Sequence, residues 1–215
     1  MTPQELLAAW HEQQTAFIEH RDLRTRTIID VLKARYADTP ITVLDLACGP
    51  GSLGAEILRE LPSATIIGVD RDPVLLRLGT ETNQFGERLR FIDADLTDSH
   101  WIEQLLATDF DAVISATALH WFEPDQLSRL YLDLTQVVKP GAIFMNADHL
   151  LYDAHHSPTL ATPPFLRQSG RTSAPAQSPQ ASSHGRPGGK QPSRCQAGKK
   201  KPNCGISVGQ TNPPR

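Results

Sequence analysis

The chain has 215 residues and a formal net charge of −3 at neutral pH, a size for one domain with appendages. Its three cysteines, Cys48, Cys195 and Cys204, are too scattered for a disulfide framework or a zinc knuckle. No stretch is long enough to span a membrane and the N-terminus lacks a signal core, so the cytoplasm is the expected location.

Residues 4–36 carry apolar positions near helical spacing, among them Leu6, Leu7, Trp10, Phe17, Ile18, Ile28, Ile29, Leu32 and Tyr36. One or two N-terminal helices are predicted, forming a cap over residues 1–39. Arg21, Arg24 and Arg26 lie on solvated faces or on a lid over a bound cofactor.

From residue 40 the pattern alternates. Strands are predicted at 41–46, 65–69, 89–93, 110–116 and 142–148, and helices at 52–61, 73–84, 99–107 and 124–138. Such alternation implies an α/β fold, a Rossmann-like, doubly wound and mostly parallel sheet with helices on both faces. Asp72-Pro73 reads as a helix N-cap followed by proline at the first helical position, and Pro124 and Pro140-Gly141 punctuate the fourth helix.

The first strand runs into Asp45-Leu46-Ala47-Cys48-Gly49-Pro50-Gly51-Ser52-Leu53-Gly54, an acid and then a glycine-rich turn opening a helix. Read literally, the turn matches a dinucleotide fingerprint, with Asp70 at the distance of a ribose-binding acid. Asp45 argues against that reading, because a carboxylate beside the loop opposes a pyrophosphate. Pro50 also deletes an N–H that a phosphate would use. S-adenosylmethionine suits the loop better, since its ammonium and sulfonium are cationic and it carries no phosphate. The second and third strands end in acids too, Asp70 and then Asp93 and Asp95, at the carboxyl ends where open α/β sheets bind ligands.

These residues, with Phe110 to Trp121, resemble the class I S-adenosylmethionine-dependent methyltransferases over roughly residues 40–150. The resemblance implies that Asp45, Ala47, Gly49 and Gly51 contact the methionine part, Asp70 and Arg71 the ribose, and Asp95 and Leu96 the adenine. Ala116 belongs to the same implied cofactor site. Ala47 stands where the family often has glycine. The Leu119-His120-Trp121 ending is similar to the small-molecule branch that includes the trans-aconitate and malonyl-carrier-protein methyltransferases. The signatures of amino-methylating and cytosine-C5 nucleic-acid enzymes are absent.

A small-molecule acceptor is therefore expected, with no specific nucleic-acid or membrane partner. If that acceptor needs deprotonation, His120 is the candidate base, the other reading being that His120 and Trp121 wall the pocket. A carboxylate acceptor needs no base, and arginines of the N-terminal helices could bind it. The other functional readings are an NAD-dependent oxidoreductase and a cofactor-binding protein without an acceptor pocket.

The methyltransferase domain is bounded at 40–155. All 24 acids lie at or before Asp153, whereas residues 156–215 carry nine Lys and Arg, no acid and much Pro, Ser and Gly. Disorder is expected there, and Lys199-Lys200-Lys201, with no aromatic following it, is a weak nucleic-acid signal. His155-His156 has no carboxylate pattern around it that would make a metal site, and no metal is expected. The family normally adds two strands after the fifth, one antiparallel. The tail is expected to supply neither, as a natural extension, a basic arm or an out-of-frame product would, leaving the domain C-terminally truncated.

Overall fold

The computed structural model describes residues 1–105, 107–149 and 204–210. Two helices lead, α1 (Pro3–Phe17) and α2 (Arg21–Tyr36). Then come β1 (Thr42–Leu46), α3 (Ser52–Glu60), β2 (Thr65–Asp70), α4 (Pro73–Thr82) and β3 (Leu89–Asp93). β4 (Phe110–Ala116), α5 (Pro124–Leu134), β5 (Val138–His149) and β6 (Cys204–Gln210) complete the order.

The sheet order is β3-β2-β1-β4-β5-β6. β1 to β5 are mutually parallel, with Leu44 opposite Ile67 on one side and Val113 on the other. The order reverses between β1 and β4, and the crevice above the carboxyl ends of these two strands is where this topology places a ligand.

Alternation along each strand sends side chains to two cores. Val43, Ile66, Ala112, Ile114 and Met145 pack with Ile28 and Leu32 of α2 and Ile57 and Leu58 of α3. Leu44, Leu46, Ile67 and Val113 face the other way, against Trp101, Phe110 and Leu130 and Leu134 of α5. Asp45 falls on the Val43 side of β1 by this periodicity, in a position otherwise held by apolar residues, and is 2% exposed.

Glycine is required at one point by both backbone and space. Gly51 precedes α3 at φ +75°, and a Cβ there would stand 2.7 Å from the Phe91 ring. Asp72 caps α4 as expected, its carboxylate accepting from the N–H groups of Val74 and Leu75. At α1 the cap is Thr2, reciprocated by Glu5.

Of the one or two N-terminal helices predicted, two form, divided at His20, whose left-handed φ of 57° has no glycine or proline to announce it. Three local readings of the sequence are corrected. Among its described residues, the stretch expected as a helix over 99–107 forms a 3₁₀ turn, Trp101–Gln104, and no α-helix. Asp98 bonds the His100 N–H, and Trp101 is buried with its indole N–H on Asp133 at 3.1 Å, so the segment is pinned before it completes α-helical turns. α5 stops at Leu134, and Pro140-Gly141 lies inside β5, where a register irregularity against β4 takes up the extra residues.

The third correction concerns the β5 edge, expected to be bare. Cys204–Gln210 pairs with it antiparallel, from His149↔Cys204 to Ile143↔Gln210. Its Ile206 and Val208 alternate with small and polar residues, a period-two signal too short to register in the composition of a 60-residue tail. The rest of the stretch expected to be disordered, and His155 and His156, lie outside the described residues.

Candidate functional site

Two cavities open at the switch point. One, of about 320 Å³, is lined by Asp45, Ala47, Gly49, Asp70 and Ala116 from the sheet side, and by Trp10, Gln14, Arg21 and Arg24 from the N-terminal helices. The other, of about 550 Å³, is lined by Arg71, Asp95, Leu96, Thr97 and Gln126. Ala47, Asp70, Ala118 and Trp121 line both, so the two cavities form one elongated cleft.

Asp45 dominates the first cavity. Its carboxyl accepts the Gly54 backbone N–H, while Oδ2 is buried with no hydrogen-bond partner. Burial, reinforced by the nearby Asp70 carboxylate, pushes Asp45 up to about 8. A buried acid with an unsatisfied oxygen, beside a second acid and a cavity, fits the cationic end of a ligand.

The glycine turn offers little to a phosphate. Gly49, at φ +56°, gives its N–H to Asp70 Oδ2 at 2.7 Å, and Gly51 gives its own to the Cys48 carbonyl at 3.0 Å. Pro50 has none to give. These two donors, of the kind a dinucleotide loop aims at pyrophosphate, are already taken by Asp70 and by the Cys48 carbonyl. Ala47 sits at φ +52°, a left-handed residue where glycine would be unstrained.

Asp70 keeps acceptor capacity at the junction of the cavities. Oδ1 takes the Asp72 N–H at 2.9 Å and Oδ2 the Gly49 N–H, leaving one lone pair on each oxygen. Asp95 is more fully engaged. Its Oδ1 accepts from the Thr97 hydroxyl at 2.7 Å and the Thr97 N–H at 2.9 Å, and Oδ2 meets Arg71 at 3.2 Å. These bonds, Thr97 first, hold the Asp95 carboxyl below the usual carboxylate range.

The N-terminal helices reach the cleft. Trp10 packs over the Gly49 backbone, and His11 links the cap to the turn through Arg21 Nη2 on Nδ1 and Ser52 Oγ on Nε2, both at 3.3 Å. Burial, with Arg21 and Arg59 nearby, lowers the His11 pKa and favours the neutral ring this bridge requires. Arg24 is 3% exposed and lines the cavity.

Among the residues singled out in the sequence, the structure brings Asp45, Ala47, Gly49, Asp70, Arg71, Asp95, Leu96 and Ala116 onto the cleft. Gly51 is not on it, being committed to packing under α3. His120 lines neither cavity, and its ring is bonded to the buried Asp148. Trp121 forms the shared wall instead. Asp148 is absent from the residues that the sequence singles out, although it ends its strand in an acid as Asp45 and Asp70 do. No group of three or more metal-ligating side chains occurs among the described residues, and none of their helices is long and apolar enough to cross a membrane.

A mostly parallel sheet with this order, a glycine turn whose Gly49 and Gly51 donors are already engaged and an orphaned acid at its tip define a Rossmann-like cofactor-binding domain. Residues 43–141 match the family model of a methyltransferase domain. The chain is 29% identical over 137 residues to a trans-aconitate 2-methyltransferase of Azoarcus sp. (strain BH72), covering 64% of this chain and 49% of the relative. It is 31% identical over 140 residues to that of Rhodopseudomonas palustris (strain BisB18), with the same coverage. The chain thus spans about half the length of the curated relatives it matches. In fold it is similar to the plantazolicin methyltransferase BpumL, solved with a pentazolic desmethylPZN analog and SAH. That match has a TM-score of 0.54 at 19% identity, covering 74% of this chain and 58% of that one. Over residues 43–141 the chain is therefore similar to a methyltransferase domain.

Proposed function

We propose that the cleft holds S-adenosylmethionine and directs its methyl group onto a small carboxylate. The observation that carries the cofactor half is Asp45, whose buried, unpartnered oxygen suits the ligand's ammonium while the turn withholds its N–H groups from phosphate. Asp70, with a free lone pair on each oxygen, is placed to accept the ribose hydroxyls, and Leu96, Thr97 and Asp95 line the wider cavity as an adenine site. When bound, the cofactor supplies an electrophilic methyl group on a sulfonium. The protein contributes orientation and exclusion of water.

The acceptor half follows from what lines the Asp45 end. Arg21 and Arg24 provide cations there, and Trp10 and Trp121 provide apolar walls. The remaining titratable groups lining that cavity are Asp45, Asp70 and the Cys48 thiol, which burial keeps protonated. An amine or phenol would have to lose its proton to one of these, whereas a carboxylate arrives ionised and pairs with arginine. The trans-aconitate relatives agree with that class of acceptor.

Calorimetry with SAH and with NAD tests the cofactor, and a methyl-release assay over a panel of di- and tricarboxylates, phenols and amines tests the acceptor. Binding of SAH but not NAD, with turnover confined to carboxylates and a raised KM in Arg21→Ala, is expected. Tight NAD binding overturns the first half, and SAH binding with turnover on phenols or amines overturns the second. SAH binding with no turnover on any class returns the chain to a cofactor-binding role.

A further inference from the structure

We propose that Asp148 is a positioning residue for this cleft, acting through His120 to hold the turn that stands Trp121 between the two cavities. The proposal rests on the cleft being the cofactor and acceptor site assigned above.

Asp148 is wholly buried at the end of β5, and each of its oxygens meets His120. Oδ2 accepts the His120 backbone N–H at 3.0 Å, and Oδ1 pairs with His120 Nδ1 at 2.7 Å. One residue earlier, the Ala147 carbonyl takes the Thr117 N–H at 3.0 Å. Thr117 sits at φ +57°, a conformation β-branched residues rarely adopt and keep only where their surroundings impose it. The end of β5 therefore grips the loop after β4 at three points within two consecutive residues.

What this grip positions is Trp121. The residue is 80% exposed, so burial does not fix it, yet it lines both cavities. Its place comes from the Leu119–Trp121 turn, anchored by the buried Leu119, and from contact with the His120 ring at 5.0 Å between centroids. Losing Asp148 would release the strained loop and the ring together.

The full chain labelled with 5-fluorotryptophan should give three fluorine resonances, for Trp10, Trp101 and Trp121, the last assigned by its loss in Trp121→Phe. Asp148→Ala should move or broaden the Trp121 resonance, leave that of the buried Trp101 in place, and raise the Kd for SAH about tenfold. If Asp148→Ala does not fold, His120→Ala, at a side chain about one-third exposed, is read by the same criteria. An unmoved Trp121 resonance, or a moved one with unchanged Kd, overturns the proposal. A wild-type chain that fails to bind SAH overturns the cleft assignment instead, and the grip is then judged on the resonance, which needs no ligand.

Discussion

Replacing Asp45 by Asn should uncouple cofactor binding from pH. In the free protein Asp45 is raised to about 8, against 3.8 for an ordinary aspartate, because it is fully buried and faces Asp70. Below about pH 4 the carboxyl is protonated in both the folded and unfolded chains and contributes no pH dependence. Between about pH 4 and 8 the folded state holds a proton that the unfolded state has lost, so stability falls as pH rises, by up to about 1.4 kcal/mol per pH unit. Across the window the loss is on the order of 5 kcal/mol, comparable with the whole stability of a marginal domain. Asn at this position carries no proton to lose. The melting temperatures of Asp45→Asn and wild type should therefore diverge with pH, the variant being the more stable by roughly 10 °C near pH 8.

The same group sets the ligand response, with the opposite sign. An ammonium beside Asp45 favours the ionised form, so affinity for SAH should rise with pH up to about 8, by at most about tenfold per unit. Near pH 7 binding should release close to one proton, read by calorimetry in buffers of different ionisation enthalpy. Asp45→Asn should release none and bind about 10- to 100-fold more weakly, the loss of one charge-assisted hydrogen bond. An affinity that is flat from pH 6 to 8, with no proton release in the wild type, would refute the assignment of Asp45 to the cationic end.

Gly51→Ala should cost about 2–4 kcal/mol in denaturant unfolding, because its left-handed φ and the Phe91 ring both reject a Cβ. Its effect on SAH affinity should be small in whatever fraction remains folded. Trp101→Ala should cost about 3–5 kcal/mol and leave the Asp133 carboxylate without its indole donor, whereas Trp101→Phe should recover most of the packing. In hydrogen exchange the amides of 204–210 that face β5 should be protected, and deletion from residue 204 onward should raise exchange in 143–149 while leaving β1 unchanged. Unprotected amides throughout 204–210 would contradict the sixth strand.

Much of the fold could be read from the chain because its signals are local and repeated. Val43-Leu44 and Ile66-Ile67 announce strands buried on both faces, and Asp72-Pro73 and Pro124 mark helix starts, so the elements from 40 to 93 and from 110 to 134 need no long-range information. What the sequence hid depends on tertiary contacts. The break at His20 uses a left-handed residue with no glycine, the turn at Trp101 is decided by Asp133 thirty-two residues away, and β6 exists only because the β5 edge is there to pair with. Gly51 shows that one letter can answer to two demands, because the Phe91 ring beside it is by itself sufficient reason for its lack of a side chain.

The strand-terminal acids show why a residue type at the right position is still not a role. Asp45, Asp70 and Asp148 all end parallel strands near the cleft, and all three are read from the sequence as the same letter. They differ in what their neighbours have already given them. Asp148 has both oxygens engaged by one histidine, so its charge serves the loop it grips. Asp70 has one donor on each oxygen and capacity for one more, the arithmetic of a group that braces its own turn and can still accept two hydroxyls. Asp45 has a buried oxygen with no donor, and that deficit costs the free protein stability above pH 4. A cationic ligand removes the deficit, so the same interaction that makes this position unfavourable in the empty fold supplies its affinity in the bound one.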